Sequence, residues 1–217
     1  MAPPRFEPPP RDCPRCPRLV SFLATHRARE PAWHNAPVAS FGSLDARLLI
    51  VGLAPGLRGA NRTGRPFTGD YAGDLLYGTL DRFGFSRGTF RADPADGLAL
   101  VDCRIANAVR CVPPENKPLP AEFAACRPFL VQEIAAMPRL KVLLALGRGA
   151  HDQVLRALAV KPAGAFPFAH GALHQLPTGT LLADSYHCSR YNTNTGRLTE
   201  AMFHQVFAGV RAVLDAA

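Results

Sequence analysis

No apolar run of the roughly 18 residues that a spanning helix needs occurs in this chain of 217 residues, so no helical membrane span is expected. The opening MAPPRFEPPPRDC lacks the apolar segment of a signal peptide, and the protein is expected in the cytoplasm as a monomer. The usual nucleotide loops are missing: no GxGxxG follows a strand, and no GK precedes Ser or Thr. No internal repeat is present, and no domain break follows the first dozen residues. Lysine is scarce. Lys117, Lys141 and Lys161 are the three, leaving 22 of the 25 basic residues to arginine. Cysteine is limited to six, and in a cytoplasmic chain these point to metal rather than to a disulfide framework.

What is present is basic, with a net charge of +8. This favours an anionic partner, and arginine matches phosphate geometry better than lysine does. Alanine and proline are also abundant, so composition bias contributes to the arginine content and charge alone does not establish nucleic-acid binding.

The chain is organised around residues 48–70, LLIVGLAPGLRGANRTGRPFTGD. Leu48, Leu49, Ile50 and Val51 form an apolar run without alternation, the pattern of a strand covered on both faces. The run then breaks into Gly52, Pro55, Gly56, Gly59, Gly64 and Gly69. Such a stretch suits a loop whose backbone approaches a ligand closely. Asn61, Arg62, Thr63, Arg65 and Asp70 lie in it, with one aromatic, Phe67. A surface loop made of turns is the plain alternative.

Buried strands are expected over 47–52, within 98–107, over 141–146 and over 181–186. Helices are expected over 19–28, 71–83, 121–137, 151–160 and 200–214, and an edge strand within 161–173. Strands alternating with helices give an α/β class: a single domain with a mostly parallel four-stranded sheet between helical layers. Residues 1–12 read as a Pro-rich arm and 13–217 as the domain. Polar clusters follow the strand ends at 52–70, 107–111, 147–149 and 187–192, where α/β sheets bind ligands.

Cys13 and Cys16 form a C-x-x-C pair, which can reach one metal centre but cannot complete it. Cys111 and Cys126, flanking a Pro-rich loop, complete a candidate set of four. Four thiolates suit zinc or an iron–sulfur cluster. The second C-x-x-C knuckle of a zinc ribbon is missing, which favours iron–sulfur. Cys103 and Cys188 read as ordinary buried cysteines.

His187 directly follows the last strand, with Ser189 and Asn192 close behind. It is either packed or placed to donate a hydrogen bond to an anion formed during reaction. Asp70 either caps the next helix or orients a water. Asn107 both donates and accepts, as reading an amide-like edge requires. Phe67 is either core or a stacking platform.

The motifs GLAPGLRGANRTGRPFTGD, NAVRCVPPENKP and HCSRYNTNTGRLT, in this order, resemble the uracil-DNA glycosylase superfamily, and within it family 5, or type b. The resemblance implies excision of uracil and other deaminated or damaged bases from DNA without a lyase step, initiating base excision repair. It implies that Gly52, Leu53 and Ala54 line the base pocket, that Phe67 stacks on a flipped base and that Asn107 reads its edge. His187 would stabilise the leaving base, and Asp70, or alternatively Asn61, would place the water. Ser189, Arg190, Tyr191, Asn192 and Arg62 would face DNA. The four cysteines Cys13, Cys16, Cys111 and Cys126 agree with the [4Fe–4S] cluster of families 4 and 5. Leu53 stands where family 4 carries an acidic residue, and Cys188 where a proline usually follows the histidine.

Two other classes compete. A non-catalytic iron–sulfur module would bind nucleic acid without releasing a base. A metal-dependent nucleotide hydrolase would need a His/Asp cluster, and none with ligand spacing is visible beyond the cysteines.

Overall fold

The computed structural model describes residues 6–216. In chain order its elements are α1 (Pro17–Arg29), β1 (Phe41–Gly42), β2 (Leu48–Gly52), α2 (Ala60–Thr63), α3 (Tyr71–Arg82), β3 (Ser86–Arg87), β4 (Ala99–Leu100) and β5 (Cys103–Asn107). There follow α4 (Pro120–Ala135), β6 (Val142–Leu146), α5 (Arg148–Ala157), β7 (Leu173–Gln175), β8 (Leu181–Ser185), α6 (Arg190–Asn194) and α7 (Glu200–Asp215).

Four strands, ordered β5-β2-β6-β8, run parallel at the centre of the main sheet. They are the four expected strands. Short antiparallel strands extend both edges, β1 on β5 and β7 on β8, so the sheet has six strands. β1 and β7 are too short to declare themselves by periodicity; an edge strand was expected within 161–173, and β7 meets that range only at Leu173. The stretch at 98–107 divides in two. β4 pairs with β3 in a separate ribbon, and Asp102, at φ 52, turns the chain into β5.

The sheet is buried on both sides, and alternate residues of each strand face opposite layers. Leu48 and Ile50 pack with Leu76 and Leu80 of α3 and Phe203, Phe207 and Val210 of α7. Leu49 and Val51 pack with Leu130 of α4 and Val154 and Leu155 of α5. The result is the expected three-layer arrangement. Two expectations need correction. The glycine-rich stretch contains a helical turn, α2, and the 187–192 stretch contains the short helix α6. The N-terminal arm falls partly outside the described residues. Of the rest, Phe6 lies against the Arg104 guanidinium at 5.6 Å, and Pro9 lines the cysteine cluster. Among the described residues, no helix is long and apolar enough to cross a membrane.

A buried charge triad ties β5 to α4. Glu133, fully buried, accepts from Arg104 Nε at 2.6 Å and from the Arg110 guanidinium. Burial alone would raise the Glu133 pKa, but Arg110 and Arg104 outweigh it and the carboxyl is held low. Removing one member of such a group strands uncompensated charge. Glu133→Ala is therefore expected to lower stability by about 3–5 kcal/mol, read as a lower denaturant midpoint. A loss below about 1 kcal/mol, the range of exposed pairs, would contradict the triad's burial.

Candidate active site

Parallel strands bring all four carboxyl ends to one side of the sheet, and a cavity of about 710 Å³ lies there. Leu53, Ala54, Pro55 and Gly56 after β2, Asn107 at the end of β5, Gly147 and Gly149 after β6, and His187 and Ser189 after β8 line it. Phe67 and Asp70 close the wall.

Phe67 adopts φ 51, a left-handed conformation that costs a non-glycine residue about 1–3 kcal/mol. Its neighbours hold it. Tyr77 Oη donates to the Pro66 carbonyl at 2.7 Å, Arg65 Nε to Thr68 Oγ1 at 2.8 Å, and Thr63 Oγ1 to the Thr68 carbonyl at 3.0 Å. Arg65 is itself fixed by a buried bidentate pair with Asp96 at 2.7 and 2.8 Å, and its hydrogen bonds hold the Asp96 carboxyl well below the usual range. Gly52 lies beneath Phe67. A Cβ there would come within 2.4 Å of Asn107 Oδ1 and 2.8 Å of the Phe67 ring, so glycine lets both side chains reach the pocket floor.

The His187 ring lies 5.9 Å from the Phe67 ring at an interplanar angle of 29°. It is half-buried and lines the cavity, and desolvation lowers its pKa to about 4. The imidazole is therefore neutral at physiological pH. Its backbone is held from both sides. Asn192 Nδ2 donates to the His187 carbonyl at 2.8 Å, and Cys188 Sγ lies 3.4 Å from the Ala72 carbonyl. Cys188 is thus a buried tether.

Asp70 is the residue at the N-cap of α3, yet its side chain makes no capping hydrogen bond, and Oδ1 is buried without a partner. The Ala72 and Gly73 amides nonetheless face the carboxylate, so the helix-cap reading stands beside the catalytic one. Burial raises the Asp70 pKa above 3.8, with the backbone amides of Gly73 and Ala72 acting in the opposite direction. A Cβ on Gly59 would fall 2.1 Å from Asp70 Oδ2, so the carboxylate occupies a notch that only glycine leaves open.

The other expected residues separate. Asn61 is fully buried and faces away from the cavity, donating to Asn35 Oδ1 at 2.8 Å. Successive residues of a helical turn point about 100° apart. Ala60 takes the cavity side, and Asn61 faces Asn35, which donates to the His26 and Glu30 carbonyls at the end of α1. Asn61 thus joins the pocket loop to α1; it does not line the cavity, and its Oδ1 is buried without a hydrogen-bond partner. Asn192 is taken up by the His187 carbonyl. Ser189 caps α6, accepting from the Asn192 amide at 3.4 Å. Arg190 lies over the Tyr71 ring at 5.4 Å. Tyr191 is 73% exposed, and Arg62 is exposed near the Gly69 carbonyl; neither lines the cavity. Arg58, Tyr71 and Asn116 line it and were not anticipated. Asn116 has φ 57, and an asparagine between prolines, where left-handed backbone is tolerated, was the available signal.

Cys13, Cys16, Cys111 and Cys126 come together in an apolar pocket with Leu19, Val109 and Phe129. Arg15 covers it, 4.6 Å above the Phe129 ring. Burial, then repulsion from neighbouring thiols, pushes Cys16 up to about 11 and Cys111 up to about 12. As thiolates, these four half-buried to buried sulfurs would need a cationic centre to offset their charge. The Arg110 amide, 3.3 Å from Cys126 Sγ, is placed to support a ligating sulfur. The donor set fits a metal or cluster. Elsewhere, α5, β7 and β8 assemble His151, His174 and Asp184, a His/Asp group that sequence spacing did not reveal.

A family profile for the uracil DNA glycosylase superfamily matches residues 39–211. The chain is 45% identical over 200 residues to the type-5 uracil-DNA glycosylase of Thermus thermophilus, covering 89% of this chain and 90% of that one. It is 43% identical over 203 residues to the type-5 enzyme of Mycobacterium leprae, covering 90% and 88%. A type-4 uracil-DNA glycosylase of Thermotoga maritima is 39% identical over 111 residues, covering 51% and 50%. A match this long, over the loops that build the cavity, makes this chain a member of the uracil DNA glycosylase superfamily, alongside its type-5 enzymes.

Proposed function

We propose that this protein is a monofunctional DNA glycosylase that flips uracil, and other deaminated or damaged bases, out of DNA and hydrolyses the N-glycosidic bond. One observation carries the reading: a single cavity gathers Phe67, Asp70, Asn107 and His187 from separate strand ends and loops. The flipped base stacks on Phe67, Asn107 reads its polar edge, and the backbone of residues 53–56 completes the pocket. As the bond to the sugar lengthens, negative charge grows on the base and positive charge on the sugar. The neutral His187 ring donates an N–H to the departing base, where a dry, fixed donor is most effective. The Asp70 carboxylate faces the sugar side, orients a water and takes its proton as oxygen bonds to the anomeric carbon. Arg58, Ser189 and Arg190 at the cavity, with the exposed Arg62 and Tyr191 outside it, meet the DNA backbone. The net charge of +8 supports that contact.

We assign Cys13, Cys16, Cys111 and Cys126 to a [4Fe–4S] cluster that cross-links the N-terminal segment to the mid-chain loop. The sequence carries a single C-x-x-C pair rather than the two knuckles of a zinc ribbon, which supports iron–sulfur over zinc. Residues 13–217 act as one monomeric domain behind the arm at 1–12. The cytoplasm suits the six free cysteines, a state that reducing conditions maintain.

Uracil release from a duplex is the test. His187→Ala is expected to slow release about 10²–10³-fold with DNA binding retained. Asp70→Asn is expected to slow it about 10²-fold or more and to leave residual activity, because the DNA phosphates also stabilise the sugar cation. Binding without release by cluster-loaded wild type would favour the non-catalytic module instead. Cys126→Ser is expected to abolish both iron and acid-labile sulfide. Zinc in place of iron at this site, lost in the same variant, would contradict the cluster assignment.

A further inference from the structure

Behind the pocket wall, one group is unexplained by base excision. His151 is on the first turn of α5, next to the cavity residue Ala150. His174 is on edge strand β7, and Asp184 is on β8. Asp184 is fully buried. Its Oδ1 lies 2.8 Å from His151 Nδ1, and His151 Nε2 lies 2.9 Å from the Phe166 carbonyl. Asp184 Oδ2 and His174 Nε2 face each other at 3.5 Å, and both are buried without a hydrogen-bond partner. Two such atoms in contact are costly unless a shared proton or a cation joins them.

We propose that His151, His174 and Asp184 form a second site, independent of the cysteines, for a divalent cation of zinc type. The donor set is right: two imidazoles and a carboxylate, with ligand atoms all within 4.8 Å of one another. His151 is already oriented for it. Its Nε2–H donates to a backbone carbonyl, the outer-shell bond that frees the Nδ1 lone pair for a metal. A cation between Asp184 Oδ2 and His174 Nε2 satisfies both atoms and displaces the proton shared by His151 and Asp184. The rings of Phe168, 5.6 Å from His151, and Phe166, 5.9 Å from His174, shield the group from water. His174 retains 15% side-chain exposure, enough for a water to complete the coordination. The bound ion would be structural. It would clamp β7 and the 161–175 segment onto β8 and α5, and so brace the back of the pocket wall.

The test uses cluster-loaded protein treated with a chelator, dialysed and titrated with Zn²⁺, with iron and zinc counted together. Wild type is expected to take up a single zinc ion per chain with iron unchanged, and its thermal midpoint is expected to rise. His174→Gln and Asp184→Asn are expected to lose both the zinc and the rise, while His174→Gln keeps its iron and its rate of uracil release. No zinc uptake by iron-replete wild type, or equal uptake by wild type and His174→Gln, would overturn the site. Neither outcome bears on the glycosylase reading, which base release reports separately.

Discussion

Four parallel strands, each buried on both faces, can end only on one edge of their sheet, and the rest of this molecule depends on that constraint. Register aligns Gly52 with Asn107 and Ala145 with Asp184 across neighbouring strands, so the loops leaving those strands rise side by side. Residues more than 100 positions apart in sequence, such as Phe67 and His187, therefore stack at 5.9 Å. The same constraint explains the glycines. Where four loops converge, backbone and side chains compete for volume, and Gly52 and Gly59 leave space that Asn107, Phe67 and Asp70 fill.

Burial then sets the chemistry. His187 has no facing acid to hold a proton, so desolvation leaves it neutral. Asp70 is raised by burial, with the amides at the start of α3 acting in the opposite direction. On the proposed mechanism, these surroundings suit two titratable groups in one cavity to separate roles. The cost of holding Phe67 in a left-handed conformation is met by Arg65, Asp96, Tyr77 and Thr63, none of which needs to touch a ligand.

The four central strands and the major helices were legible because continuous apolar runs and 3.6-residue periodicity report burial directly. The convergence of Asp70, Asn107 and His187 followed from their places after strands. Asn61 misled because composition gives a residue's chemistry but not its direction. One step along a helical turn moved it from the cavity to the end of α1. Asn116 was hidden in a Pro-rich loop whose path periodicity cannot describe. His151, His174 and Asp184 are separated by 23 and 10 positions on three elements, and pairing of β7 with β8 and packing of α5 bring them together. Asn35 and Asn61 show a similar long-range link, joining the helix that follows the first two cysteines to the pocket loop.

On the proposed mechanism a neutral His187 and the Asp70 carboxylate act together on a flipped base, and the pH dependence of single-turnover uracil release is the measurement to make. The rate is expected to fall only on the acid side, where Asp70 gains its proton above 3.8. The rate should stay level as pH rises through about 6.5, where an ordinary histidine loses its proton. A decline on the alkaline side of that value, absent from His187→Gln, would mean that the enzyme works through a charged imidazolium and would contradict the account.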